Sequence, residues 1–123
     1  MDIRSILIAL CEAFNAHDLD RIMSFFAEDC VLEMPRGDKP WGARFEGKTD
    51  VSAALAKRFE GLPDVHYGAD EHFVDAAANT GISRWTLTGT TGAGVKVEVK
   101  GCDFYEFRDG KVIRKDSYWK IAE

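Results

Sequence analysis

The sequence predicts an α+β domain: three N-terminal α-helices packed on one face of a cone-shaped, curved, mainly antiparallel β-sheet. Two patterns carry this. Apolar residues recur at helical spacing in the first half of the chain, then alternate with period two from Val65 onward. Helices followed by a run of strands is the order of an α+β fold, in which the helices collect on one face of the sheet. A third observation concerns size. The 123 residues suffice for one core, and no linker, repeat or low-complexity segment divides them, so residues 1–123 read as a single domain.

Ile3, Ile6, Leu7, Leu10 and Phe14 form the inner stripe of a first helix that ends at Asn15-Ala16-His17. Asp18 suits an N-cap, and Asp20 favours the first turn of a second helix. That helix carries Leu19, Ile22, Met23 and Phe26 inward and is expected to stop near Glu28-Asp29. His17, beside the cap, reads as structural and not as a base. Cys30 to Met34 reads as a short strand halted by Pro35-Arg36-Gly37. The loop that follows carries Trp41 and Phe45, large apolar groups expected to fold over an opening or against a partner. Thr49 to Glu60 is a third helix, with Val51, Ala54, Leu55 and Phe59 on one face, closed by Gly61-Leu62-Pro63. In the next strand Val65, Tyr67, Ala69 and Phe73 alternate with His66, Gly68, Asp70 and His72. After a turn at Ala78 to Gly81, Ser83, Trp85 and Leu87 make the next inward row.

The organising stretch is Val95 to Phe107. Val95, Val97, Val99, Gly101, Tyr105 and Phe107 share one face, and Asp103 alone interrupts the apolar row. A buried carboxylate is costly unless it is paired, hydrogen-bonded or facing a polar cavity, so Asp103 is either a pocket acid or a structural one. The final hairpin has two registers. A three-residue loop Arg108-Asp109-Gly110 sets Asp103 opposite Lys115 and turns Ile113, Trp119 and Ile121 inward. A two-residue Asp109-Gly110 loop brings Val112, Arg114, Asp116 and Tyr118 inward instead. The first buries fewer charges and gives Asp103 an ammonium partner, so it is the expected register.

A net charge of −5 and the lack of any Lys/Arg run argue against nucleic acid as a partner. No apolar run is long enough for a membrane span or a signal peptide. Cys11, Cys30 and Cys102 are odd in number and lack ligand spacing, which reads as free thiols in a reducing, cytoplasmic compartment. With His66 and His72 in the outward row, no metal is expected, and no cofactor is called for.

The segments FNAHDLDRIMSFFAEDCVLEMPRG, FEGKTDV, SRWTLTGT and GCDFYEFRDGKVIRKDSYWK resemble the SnoaL-like branch of a superfamily of small α+β cones. That superfamily includes nuclear transport factor two, ketosteroid isomerases, limonene epoxide hydrolase, scytalone dehydratase and polyketide cyclases. By this resemblance, the isomerase's acidic oxyanion-hole donor falls on Asp103, and the Tyr-Trp pair of its last strand on Tyr118-Trp119, with Trp119 lining the pocket. Two departures count against its reaction. Its general-base aspartate falls on Met34, and its catalytic tyrosine near Leu10. The epoxide hydrolase's final-strand aspartate falls near Ser117, without a matching Arg-x-Asp set. The fold hosts many chemistries, so the resemblance does not choose among them.

The expected site is therefore Asp103 as base and Lys115 or a tyrosine as electrophile. Trp85, Val99, Tyr105, Tyr67, Ser117 and Trp119 form its walls, with Met34 and Phe59 nearby. A carboxylate beside an ammonium is held as the anion, unlike an isomerase's protonated donor. Two function classes remain. One is acid–base chemistry on a small hydrophobic carbonyl or polyketide-like substrate, of isomerase, cyclase or dehydratase type. The other is a non-catalytic ligand-binding or assembly module in which Asp103 and Lys115 are a structural ion pair. Cys102, Phe104 and Tyr118 interrupt the charges of the outer sheet face, so a homodimer through that face is expected; members of the resembling family often pair there.

Overall fold

The computed structural model describes residues 1–121. Its elements run α1 (Ile3–Asn15), α2 (Leu19–Ser24), β1 (Phe26–Glu33), β2 (Arg44–Glu46), α3 (Lys48–Gly61), β3 (His66–Asp75), β4 (Thr80–Thr90), β5 (Lys96–Arg108) and β6 (Lys111–Trp119). One six-stranded sheet has the order β2-β1-β6-β5-β4-β3, antiparallel except where β1 runs parallel to β6. The helices cover the inner face of this curved sheet. Among the described residues no helix is long and apolar enough to cross a membrane.

The caps behave as their side chains dictate. Asp2 accepts from Ser5 N at 2.8 Å and Asp18 from Arg21 N at 3.1 Å. Asn15 then ties α1 to the sheet, its amide accepting from Tyr67 N at 2.7 Å and donating to Tyr67 O at 3.0 Å. His17 occupies the turn between the helices at φ 54°, donates Nε2–H to Val65 O at 2.7 Å, and stacks on Phe59 at 4.7 Å. These contacts fit the structural reading of His17.

Several sequence-based expectations need correction. α2 ends at Ser24, not near Glu28-Asp29, and Phe26 opens β1, fully buried there. A six-residue helix cannot persist once the chain meets a pairing edge, and Val112 N bonds Phe25 O at 2.9 Å. Val95 lies outside β5 and is exposed. In β3 a bulge between Gly68 and Glu71, with Ala69 at φ 50°, shifts the alternation by one residue. Beyond it His72 faces inward opposite Ser83, while Phe73 is 47% exposed under the Arg84 guanidinium. The outward placement of His72 is thus overturned.

The last hairpin follows neither register whole. Asp109 (φ 51°) and Gly110 (φ 75°) make the two-residue turn, so Phe107 pairs with Val112 and both are buried. A bulge at Ile113 then moves Arg114 beside Glu106, and from there Lys115, Ser117 and Trp119 face inward opposite Tyr105, Asp103 and Gly101. The tight turn is the one Asp-Gly favours, and the bulge spares two more charges from burial. Ile121, expected to point inward, is 86% exposed past the end of β6.

Three inward rows result: Gly81–Tyr105–Lys115, Ser83–Asp103–Ser117 and Trp85–Gly101–Trp119. Gly101 is required by its neighbours. A Cβ there would stand 2.4 Å from Tyr118 O and 2.8 Å from the Trp85 ring, which leans across β5 in the space left free. Replacing Gly101 with Ala is expected to cost about 2 kcal/mol or more, because the crowded atoms include backbone. Gly61→Ala, with nothing within 4 Å of the added carbon, is the matched control. It should be neutral or stabilising by about 0.5 kcal/mol. Urea denaturation of the two variants checks this; equal stabilities would contradict the packing described.

Candidate functional site

The Ser83–Asp103–Ser117 row and Lys115 of the neighbouring row hold the buried charges of the inner face. Asp103 is 4% exposed and Lys115 5%. Asp103 Oδ1 accepts from Lys115 Nζ at 2.8 Å and from Ser117 Oγ, while Oδ2 accepts from Trp85 Nε1 at 3.0 Å. Lys115 also donates to Ser117 Oγ at 2.9 Å. The ammonium lies diagonal to Asp103 and reaches back, a consequence of the bulge at Ile113. An ionised carboxylate has about four acceptor positions and an ammonium three hydrogens. Asp103 has three of its positions filled and Lys115 two of its hydrogens used. Each keeps one in reserve, and the Lys115 Nζ lies 5.3 Å from the centroid of the Phe14 ring.

Two small cavities of about 10 Å³ flank the pair, each with room for about one water. The inner one is lined by Cys11, Phe14, Tyr67, Ser83, Trp85, Asp103, Tyr105 and Lys115. The outer one adds Met34, Pro35, Leu55, Arg58, Ser117 and Trp119 to Tyr67, Trp85, Asp103 and Lys115. The interior is therefore packed, without the ligand-sized chamber the strand pattern suggests. Ligand-sized space lies further out. A groove of about 270 Å³ at the mouth of the cone is bounded by Met34, Pro35, Arg36, Ala43, Phe45, Ala54, Lys57, Arg58 and Trp119. It shares Met34, Pro35, Arg58 and Trp119 with the outer small cavity. Trp119 is thus both the floor of the groove and the roof over the Asp103–Lys115 pair.

Of the residues expected at the site, Asp103, Lys115, Ser117, Trp85, Trp119, Tyr67, Tyr105 and Met34 converge on these spaces. Two do not. Val99 packs in the core opposite Leu87, and Phe59 stacks between Phe14 and His17. Burial, with the Asp103 charge adding to it, raises the Tyr67 phenol far above its ordinary range, and Tyr105 likewise. Both remain neutral donors and cannot serve as bases. Of the loop's two aromatics, Phe45 lines the groove, while Trp41 is exposed.

Sequence reasoning missed a second polar chain. His72 Nδ1 lies 2.8 Å from Ser83 Oγ and Nε2 lies 2.8 Å from Asp70 Oδ2, which joins the inner cavity to a partly exposed carboxylate. Burial is the largest single influence on Asp70 and works against its anion, but hydrogen bonds from His72, the backbone and Cys11, with the His72 charge, together outweigh it and hold the carboxyl below its usual range. Only the bulge at Ala69 brings these groups together, and period-two counting cannot find it. Arg58 was also missed; its guanidinium lies 4.6 Å from the Trp119 ring centroid. Cys11 lines the inner cavity, but burial and then the Asp70 charge push its thiol up to about 12, so it is no nucleophile at neutral pH. Among the described residues no group of three or more His, Cys, Asp or Glu is placed to hold a metal ion.

Solved structures share this architecture. A candidate polyketide cyclase from Xanthomonas campestris pv. campestris is 19% identical with a TM-score of 0.85, over 95% of this chain and 89% of that one. A protein of cystatin-like fold from Xanthomonas campestris is 16% identical with a TM-score of 0.85, over 98% and 92%. TerC, co-crystallised with polyporic acid, is 19% identical with a TM-score of 0.78, over 93% and 88%. At these identities the likeness is one of fold. No curated protein matches the chain. The family profile of the SnoaL-like domain matches residues 7–115, and the chain belongs to that family.

Proposed function

We propose that the protein binds a small, largely apolar molecule at the mouth of the cone and performs acid–base chemistry on it, with Asp103 as base and Lys115 as electrophile. The carrying observation is the continuity between groove and pair: Met34, Pro35, Arg58 and Trp119 line both the groove and the small cavity beside the pair. The fitting substrate class is a carbonyl or polyketide-like compound. Asp103 would take a proton from the carbon next to the carbonyl, and the spare N–H of Lys115 would stabilise the enolate oxygen. Return of that proton to another carbon is an isomerisation; attack of the enolate on a second carbonyl is a cyclisation. The co-crystal of TerC with polyporic acid supports a small organic ligand for this fold. Because Trp119 roofs the pair, substrate must displace it, so the reading includes a motion of Trp119 and Arg58.

One observation favours a second reading. The pair already uses all but one hydrogen-bonding position of each member internally, and the spaces beside it hold about one water each. Asp103 and Lys115 would then be a structural ion pair, and the groove a binding site without chemistry.

A double-mutant cycle separates the two. In the structural reading, Asp103→Asn and Lys115→Met each cost about 3–5 kcal/mol, and the double change recovers much of the loss. In the catalytic reading the same burial makes each single change destabilising, and in addition turnover collapses in both single variants and is not restored in the double. Thermal melts, with turnover on carbonyl substrates from a compound screen, give the answer. Turnover that survives in either single variant would retire the catalytic reading and leave the structural one.

The outer sheet face supports self-association. Tyr118 and Phe73 are exposed there, Cys102 and Phe104 half-buried, around a groove of about 580 Å³ that Arg84, Lys100 and Tyr118 help to line. A two-fold pairing of this face would cover those apolar groups. Light scattering at micromolar concentration should then return twice the 13.7 kDa chain mass. Tyr118→Lys should halve it; a monomeric parent protein would refute the proposal.

A further inference from the structure

Among the described residues, the charged side chains that line the groove are all of one sign. Arg36 sits on the loop after β1, and Lys57 and Arg58 on the last turns of α3. No carboxylate among the described residues lines the groove, although acids outnumber bases in the chain, 21 against 16. Among the described residues none of the three cations forms an ion pair. Elsewhere the paired arginines are Arg21 with Glu12, Arg44 with Glu33 and Glu46, Arg84 with Glu71, Arg108 with Asp29 and Arg114 with Glu33 and Glu106. Beneath the cations the floor is apolar and aromatic, made by Met34, Pro35, Phe45 and Trp119.

We infer that the groove takes an anionic aromatic molecule, its ring against Trp119 and Phe45 and its carboxylate or other acidic group among Arg36, Lys57 and Arg58. The inference rests on the mouth being the ligand site and names the class of ligand that the site selects. Three like charges around one small apolar space repel each other, and an anion bound among them relieves that repulsion. Arg58 has a particular place in the arrangement. Its guanidinium lies on the Trp119 ring, where a planar cation holds its apolar contact while its edge hydrogens remain free for a bidentate acid. An arriving anion would draw Arg58 off the indole, and Trp119 is the roof over Asp103 and Lys115. Recognition of the acidic group is therefore coupled to uncovering the buried pair.

Two fluorescent probes that share one ring system but differ in charge test this. They are 8-anilino-1-naphthalenesulfonate and the uncharged N-phenyl-1-naphthylamine, each titrated into the folded full-length protein. The sulfonate is expected to bind about tenfold more tightly or better, an advantage that shrinks as salt rises. Arg36→Gln with Lys57→Gln should abolish the advantage and leave the neutral probe's affinity unchanged. Lys100→Gln with Lys120→Gln, on the outer sheet face, should alter neither. If the neutral probe binds as tightly as the sulfonate, the charge selection is refuted while the mouth stands as a ligand site. If the sulfonate keeps its advantage in the Arg36/Lys57 variant but loses it in the Lys100/Lys120 variant, the anion site lies on the outer face and the inference falls. If neither probe binds, the mouth is not an apolar site, and the inference falls together with the reading it rests on.

Discussion

A carboxylate and an ammonium buried side by side set the terms for the rest of the inner face. Removing either charge from water costs several kcal/mol, and mutual attraction offsets this only where geometry is good and the remaining polar atoms are satisfied. Much of the local sequence serves that requirement. Ser117 lies between the two charges, accepting from Lys115 and donating to Asp103. Trp85 reaches Asp103 from β4 because Gly101 leaves room for its indole to cross β5. The bulge at Ile113 supplies the half-turn that brings Lys115 and Ser117 to the inner face together. A change at any of these positions alters the solvation of a buried charge as well as a packing contact.

The fold was legible because it rests on periodicities that long elements repeat many times over. α1 and α3 lie within a residue or two of where their apolar stripes end, and β4 and β5 alternate as their side chains dictate. What sequence could not show is where a single extra residue enters a strand. Two bulges decide the site, one at Ala69 and one at Ile113, and each reverses the facing of everything beyond it. The Asp109-Gly110 pair was a sound signal for a tight turn. It lost the comparison only because an unbulged two-residue register buries Arg114 and Asp116. Neither simple register was right, since the chain takes the favoured turn and then corrects the facing.

The same limits govern the site. Asp103 could be found because a lone acid in an apolar row is visible at once, and Trp119 because family resemblance marks it. His72 could not, since its inward turn depends on the bulge at Ala69. Val99 and Phe59 were placed on the right face but at the wrong depth: facing is a property of the strand or helix, whereas lining a cavity depends on which neighbours leave space. Arg36, Lys57 and Arg58 come from two separate segments, and nothing in their spacing brings them to one rim.

The packed interior changes how the chemistry must be understood. With about one water's room on either side, the Asp103–Lys115 pair in its closed arrangement is a ground state with no reacting partner within reach. Packed cores switch between discrete arrangements more readily than they deform by degrees. Trp119 is only partly buried and is the last strand's final residue, with Lys120 and Ile121 exposed beyond it. Its indole is held edge-on to Trp85 at 6.4 Å and beneath Arg58 at 4.6 Å, contacts worth on the order of 1 kcal/mol each. Those are modest restraints beside the cost of exposing the ion pair's own hydrogen bonds. If the proposed chemistry takes place, Trp119 is therefore the element that would yield first, and an anion bound at the rim would act on Arg58, which rests on it.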